Sequence, residues 1–195
     1  MSRPRDFDID SAVDSALHEF WKKGYEGTSV TDLTEAMGIN RPSLYAAFGN
    51  KEGLFRRVLD HYEQAQSGKV QAALAAPSAR GVVEGLLYMY ADAAGDPARP
   101  RGCLLVQGAL ACSAESEPVR RELTERRHAG EAALRERLKR AKSEGDLPAD
   151  ESAADLARYV WALCDGLAVQ AAGGATRAEL RRVVARALRA WPTEA

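Results

Sequence analysis

Six side chains between positions 29 and 51 carry groups suited to a polyanion. Ser29, Thr31 and Ser43 offer hydroxyls, Arg41 a guanidinium, Tyr45 a phenol and Lys51 an ammonium. Such groups bond phosphate oxygens, and an arginine fork also matches O6 and N7 of guanine. A second set comprises the thiols of Cys103, Cys112 and Cys164, which suit electrophile chemistry or a soft metal. Enzymatic signatures are missing from the sequence. There is no glycine-rich phosphate loop, no His-Glu-x-x-His and no nucleophile elbow, and the carboxylates scatter over polar faces. No catalytic residue and no cofactor is expected.

The polar set needs elements that hold it outward. Gly38-Ile39-Asn40 separates two short helical stretches, near 29–37 and 41–48. A glycine-containing turn of three or four residues is what a helix-turn-helix requires. Gly38 permits the left-handed backbone. Val30, Leu33 and Ala36 are predicted to face inward from the first helix, and Leu44 and Phe48 from the second. Asn40 is a natural cap, and Pro42 falls in the first turn, where its missing N–H costs little. From Gly38 to Arg57, Arg41, Lys51, Arg56 and Arg57 oppose only Glu52, a local charge of +3. The wider stretch 1–60 holds eight basic and ten acidic residues, so the basic character is confined to this motif.

The rest of the chain reads as helix. The 195 residues are 46% hydrophobic, with only twelve Val, two Ile and six Thr, a composition poor in strand formers and rich in helix formers. Apolar residues recur at three and four, as in Leu54, Val58, Leu59 and Tyr62, in Leu156, Val160, Cys164, Leu167 and Ala171, and in Leu180, Val183, Val184, Ala187 and Leu188. Ser29 with Asp32 and Thr176 with Glu179 have capping-box spacing. Asn50 caps a helix predicted to run on towards Leu74. Gly38 and Gly173 stand at C′ positions. About nine helices and an all-α fold are expected. No apolar stretch approaches the ~20 residues of a membrane span, and the N-terminus has no apolar leader core. Three cysteines, an odd and sparse set, suit a reducing cytoplasm.

With these residues in place, the chain resembles the TetR/AcrR family of bacterial transcriptional regulators. The resemblance rests on the aromatic-containing first helix ending at Gly24, then Thr28-Ser29, Met37-Gly38-Ile39, Leu44-Tyr45, Phe48, and Asn50-Lys51-Glu52 followed by Leu54. It implies a DNA-binding head over residues 1–56 and a ligand-binding and dimerisation domain over 57–195. Arg41 would read a base, Pro42 and Ser43 would touch bases or phosphates, and Tyr45 and Lys51 would bind phosphate. Ser29 and Thr31 would meet the DNA backbone. The last two helices, near 151–172 and 176–191, would pair a homodimer, setting two recognition helices roughly 34 Å apart on a pseudo-palindromic operator. Arg3 and Arg5 could add a minor-groove arm.

The body offers a regulatory site. Arg101-Gly102-Cys103-Leu104-Leu105 opens a helix, and a thiol at a helix N-terminus can have a lowered pKa. Some family members with a similar segment resemble sensors of electrophiles, oxidants or copper. Cys103 is therefore either a sensor or a small buried hydrophobe. Cys103 and Cys112 fall on opposite faces of one helix, and His18, His61 and His128 lack ligand spacing, so no metal site is expected. Tyr88, Met89, Cys103, Val106, Gln107, Leu110, Trp161, Asp165 and Gln170 would line a pocket for a small-molecule inducer of unknown identity. The arginine-laced stretch 118–144 reads as a solvated face docked by Val119, Leu123, Leu134 and Leu138. The expected function is a ligand-responsive repressor. The alternative is a helical ligand- or partner-binding module without operator binding.

Overall fold

The computed structural model describes residues 7–96, 99–111 and 116–192. Arg3, Arg5 and Cys112 lie outside them, as does the side chain of Leu110. Nine helices and no strand occur among the described residues: α1 (Ile9–Gly27), α2 (Val30–Met37), α3 (Arg41–Phe48), α4 (Lys51–Leu74), α5 (Ala79–Ala93), α6 (Leu104–Ala111), α7 (Glu117–Ser143), α8 (Ala153–Ala172) and α9 (Arg177–Arg189).

Local chemistry sets the first four. Asp8 caps α1 by accepting from the Asp10 N–H, and α1 continues past the non-helical Gly24 (φ 73°) to Gly27. The Thr28 hydroxyl closes that end by donating to the Gly24 carbonyl at 2.6 Å. Ser29 and Asp32 form a complete capping box on α2. Gly38 ends α2 in the left-handed region, as its position predicts. Asn40 and Asn50 accept from the N–H groups of Ser43 and Gly53, starting α3 and α4.

Two apolar cores follow. In the first, Phe20 packs edge-on against Phe55 at 4.8 Å, over fully buried Leu33, Leu44 and Leu54. Burial of each such side chain contributes ~1.5–3 kcal/mol. Ala36 faces solvent, contrary to expectation, and Met37 is the buried residue beside Leu33. Over only two turns the stripe drifts around the helix, and the larger side chain takes the covered position. This core also takes in Leu104 and Val106 of α6, Val119 and Leu123 of α7, and Ala168 of α8. The second core joins α5, α7, α8 and α9 around Leu86, Leu134, Val160 and Leu188. At 24 residues, or ~36 Å at 1.5 Å per residue, α4 reaches both cores, with Leu54 in the first and Ala73 in the second.

Two expectations need correction. Gly173 keeps φ −73°, and Gly174 (φ 98°) takes the left-handed position instead. The α7 arginines are not uniformly solvated. Val119, Leu123, Leu134 and Leu138 dock the helix as expected, but Arg137 is buried and donates to the carbonyls of Leu74 (3.1 Å) and Ala76 (2.8 Å). It satisfies acceptors that the end of α4 would otherwise leave unpaired. Arg126 reaches Asp60 and Glu63 on α4 and Glu122 on its own helix.

Candidate nucleic-acid interface

Leu44, fully buried, fixes how α3 lies on the head. Arg41, Pro42, Tyr45 and Ala46 therefore face outward, spaced so that they share one side of the helix. Tyr45 is 47% exposed, so its ring is a surface group and not a packing one. Ser43 is half-buried, and its N–H is taken by Asn40 at 2.8 Å. Ala46 went unnoticed as a surface residue. The spacing 42, 45, 46 was the available signal, and a methyl there leaves room for close approach to a base edge.

The neighbouring groups are held in place. Arg41 Nη2 donates to the Thr31 hydroxyl at 2.8 Å, tying α3 to α2. Lys51 Nζ lies 4.3 Å from the centre of the Tyr25 ring. Partial burial pushes its ammonium below the ordinary lysine value, against the pull of Glu26 and Asp32. Ser29 forms the capping box that its spacing to Asp32 predicts. Its N–H and hydroxyl both donate to Asp32, at 2.8 and 2.5 Å, leaving the hydroxyl committed within the capping box. Lys23 bonds the other Asp32 oxygen at 2.7 Å. The Lys23 and Ser29 donors hold the Asp32 carboxyl well below its usual range. Lys23 is in turn pushed up to about 12 by Asp32 and Glu19.

The residues expected around an inducer divide between the cores. Tyr88 and Met89 pack on the second, and Tyr88 lies under the Arg181 guanidinium at 4.4 Å. Cys103 and Val106 belong to the first, and Gln170 is exposed. Gln107 and Asp165 are polar groups within apolar helix runs, and each is bonded through one oxygen. Trp21 Nε1 donates to Gln107 Oε1 at 3.1 Å, and Arg127 pairs with Asp165. Cys103 directly precedes α6 and is buried, with the Tyr62 hydroxyl donating to its sulfur at 3.4 Å. Burial pushes its thiol up, so desolvation outweighs the helix end and the Tyr62 bond that favour the thiolate. Tyr90 is pushed up by burial and by nearby Cys103, Cys164, Tyr62 and Asp165. Tyr62, Tyr90 and Arg127 thus join Cys103 and Asp165 in one polar region. Tyr62 looked like an ordinary member of an apolar stripe, so periodicity alone concealed it. Beside this region, Trp161 Nε1, Asp165 Oδ1 and Arg127 Nε are buried without hydrogen-bond partners. Among the described residues no group of three His, Cys, Asp or Glu side chains is placed to hold a metal ion.

Residues 12–58 match the family model described as bacterial regulatory proteins, tetR family, and residues 77–188 match a tetracyclin repressor-like C-terminal domain. The chain is 34% identical over 193 residues to the HTH-type transcriptional repressor ComR of Escherichia coli K12, covering 97% of this chain and 91% of that one. Its fold is similar to that of the TetR family transcriptional regulator CifR, solved as a cysteine mutant with a 26-bp double-strand operator. The TM-score is 0.93 at 46% identity, over 98% of this chain and 100% of that one. A TetR regulator from Rhodococcus sp. RHA1 gives 0.64 at 39% identity, over 94% and 98% of the two chains.

Proposed function

Because the chain belongs to the TetR family of bacterial regulatory proteins, we propose that it is a cytoplasmic transcriptional repressor that binds a pseudo-palindromic operator as a homodimer. One observation carries this reading above the rest. The outer face of α3 presents Arg41, Pro42 and Tyr45 to solvent on a helix-turn-helix whose helices are capped and whose core is closed. Arg41 reads a base, with Pro42 and Ser43 beside it. Tyr45, Lys51 and Thr31 bind phosphate and set the register. Ser29 serves through the capping box that aims α2. The operator-bound state of CifR supports the same assignment for this chain.

The dimer forms through α8 and α9, where Tyr159, Val169 and Val183 are exposed. Large exposed apolar side chains on adjoining helices suit an interface. The head spans residues 1–56 and the body 57–195. A small molecule enters the polar region around Cys103, Trp161 and Asp165, where buried donors and an acceptor lack partners, and its binding releases the operator. A buried, protonated Cys103 favours a reversible ligand over direct attack by a thiolate.

Fluorescence anisotropy with DNA flanking the protein's own gene, at stated salt, tests the reading. Saturation at two chains per site and preference over scrambled DNA support it. Equal affinity for both DNAs leaves only a helical ligand- or partner-binding module.

A further inference from the structure

We infer that Trp21 and Gln107 are positioning residues that hold the DNA-binding head in its operator-binding orientation, through a tie separate from the shared helix α4. The inference rests on the operator-binding reading above. Trp21 lies on α1, in the head, and Gln107 on α6, in the body. The Trp21 indole N–H donates to Gln107 Oε1 at 3.1 Å. The bond spans 86 positions of sequence and joins two elements that no short connection links. Trp21 is itself clamped, meeting the Tyr62 ring edge-on at 5.0 Å, while the Tyr62 hydroxyl donates to Cys103. Cys103 and Gln107 bracket the first turn of α6, whose opening bond runs from the Gln107 N–H to the Cys103 carbonyl at 3.0 Å.

The tie also has an input from the body. Gly102 sits at φ 95°, and a Cβ there would stand 2.8 Å from Gln107 Oε1 and 3.1 Å from the Ala168 carbonyl. The backbone of α8 and the oxygen that receives the Trp21 indole thus press on the same point. Asp165 and Trp161, which border the polar region, lie on α8 one and two turns before Ala168. A displacement of α8 at that region reaches Gln107 through Gly102, with no movement of α4 required. The fold matches that of the operator-bound relative over nearly the whole chain, and the bond holds the head in this arrangement. Breaking it lets the head tilt and weakens operator binding, although neither residue touches DNA.

The test is a double-mutant cycle on operator affinity, measured by anisotropy on the full-length protein. Trp21→Phe keeps an aromatic ring on Tyr62 but removes the N–H. Gln107→Leu removes the acceptor. Each should weaken operator binding about tenfold, and the double variant should lose no more than either alone. The slope of log Kd against log salt should stay at the wild-type value, because no phosphate contact is lost. Gly102→Ala, which pushes Gln107 aside from the other direction, should reproduce the loss, and Trp21→Phe should add nothing to it. Unchanged affinities, or losses that multiply in the double variant, overturn the tie while leaving operator binding intact. A wild-type protein that binds no operator overturns both.

Discussion

Arg41 on α3 donates to the hydroxyl of Thr31 on α2 at 2.8 Å. A base-reading group and a phosphate-binding group thereby approach a duplex as one unit. The bond uses one Nη2 hydrogen and leaves the rest of the guanidinium fork for guanine, while the Thr31 O–H stays free to donate.

Arg41→Ala should cost about 1–3 kcal/mol at one base pair of the operator and relax preference there. Thr31→Val should broaden preference at that same position by a smaller amount, since it frees the arginine to wander. Thr31→Ser should keep the wild-type profile. Binding to a library of operator variants, read by sequencing the bound fraction, checks all three. A uniform loss across the library for Arg41→Ala would show a phosphate contact and not a base contact.

Lys51 is expected to act on every sequence alike. Its ammonium, held over Tyr25 at 4.3 Å, sits in the first turn of α4. Lys51→Ala should weaken specific and scrambled DNA equally and reduce the salt slope by about 1. Anisotropy titrations at several salt concentrations give both numbers.

The Asp32 carboxyl ties α2 to α1 through Lys23 and closes the capping box with Ser29. Its pKa is lowered in the folded chain. Stability from this group is therefore complete above the ordinary carboxylate pKa of ~4 and is lost as pH falls through the lower folded value. Asp32→Asn should be less stable than wild type at neutral pH, and the gap should close towards acid. Urea melts of both proteins from pH 7 downwards give the difference directly, and a gap independent of pH would contradict the assignment.

These ties differ in how far a linear reading reaches. The Ser29–Asp32 and Thr176–Glu179 boxes are three-residue patterns, and both form as expected. So do the Asn40 and Asn50 caps and the left-handed Gly38. Their partners lie within one turn, so local sequence contains the whole interaction. Arg137 is the opposite case. Its acceptors, the carbonyls of Leu74 and Ala76, lie some sixty positions away, and nothing near Arg137 distinguishes it from the solvated arginines around it. Gln107 and Asp165 fall between. A polar residue in an apolar run announces that it needs a partner, but only the fold shows that the partners are Trp21 and Arg127. The raised thiol of Cys103 follows from its burial in the first core, the small-buried-hydrophobe alternative that its sequence position left open.

Gly130 lets α7 and α8 approach. The Trp161 ring lies where its Cβ would be, in direct collision with the ring edge. Gly130→Ala should displace Trp161 and destabilise the body by about 1–3 kcal/mol, the usual cost of overpacking. Trp161 borders the proposed ligand region, so the substitution should also alter inducer response. Chemical melts and tryptophan emission follow the two effects, and unchanged values in both would mean that the helices separate freely at this point.

Direct measurement of operator recognition tests the central claim. Wild type, Arg41→Ala and Lys51→Ala should be titrated against labelled DNA flanking the gene and against a scrambled duplex of equal length, at one salt concentration. The account predicts that wild type prefers the natural site by about 10³-fold or more. Arg41→Ala should lose much of that preference, whereas Lys51→Ala should keep it at lower affinity throughout. Equal binding of wild type to both duplexes, or no binding to either, would contradict it.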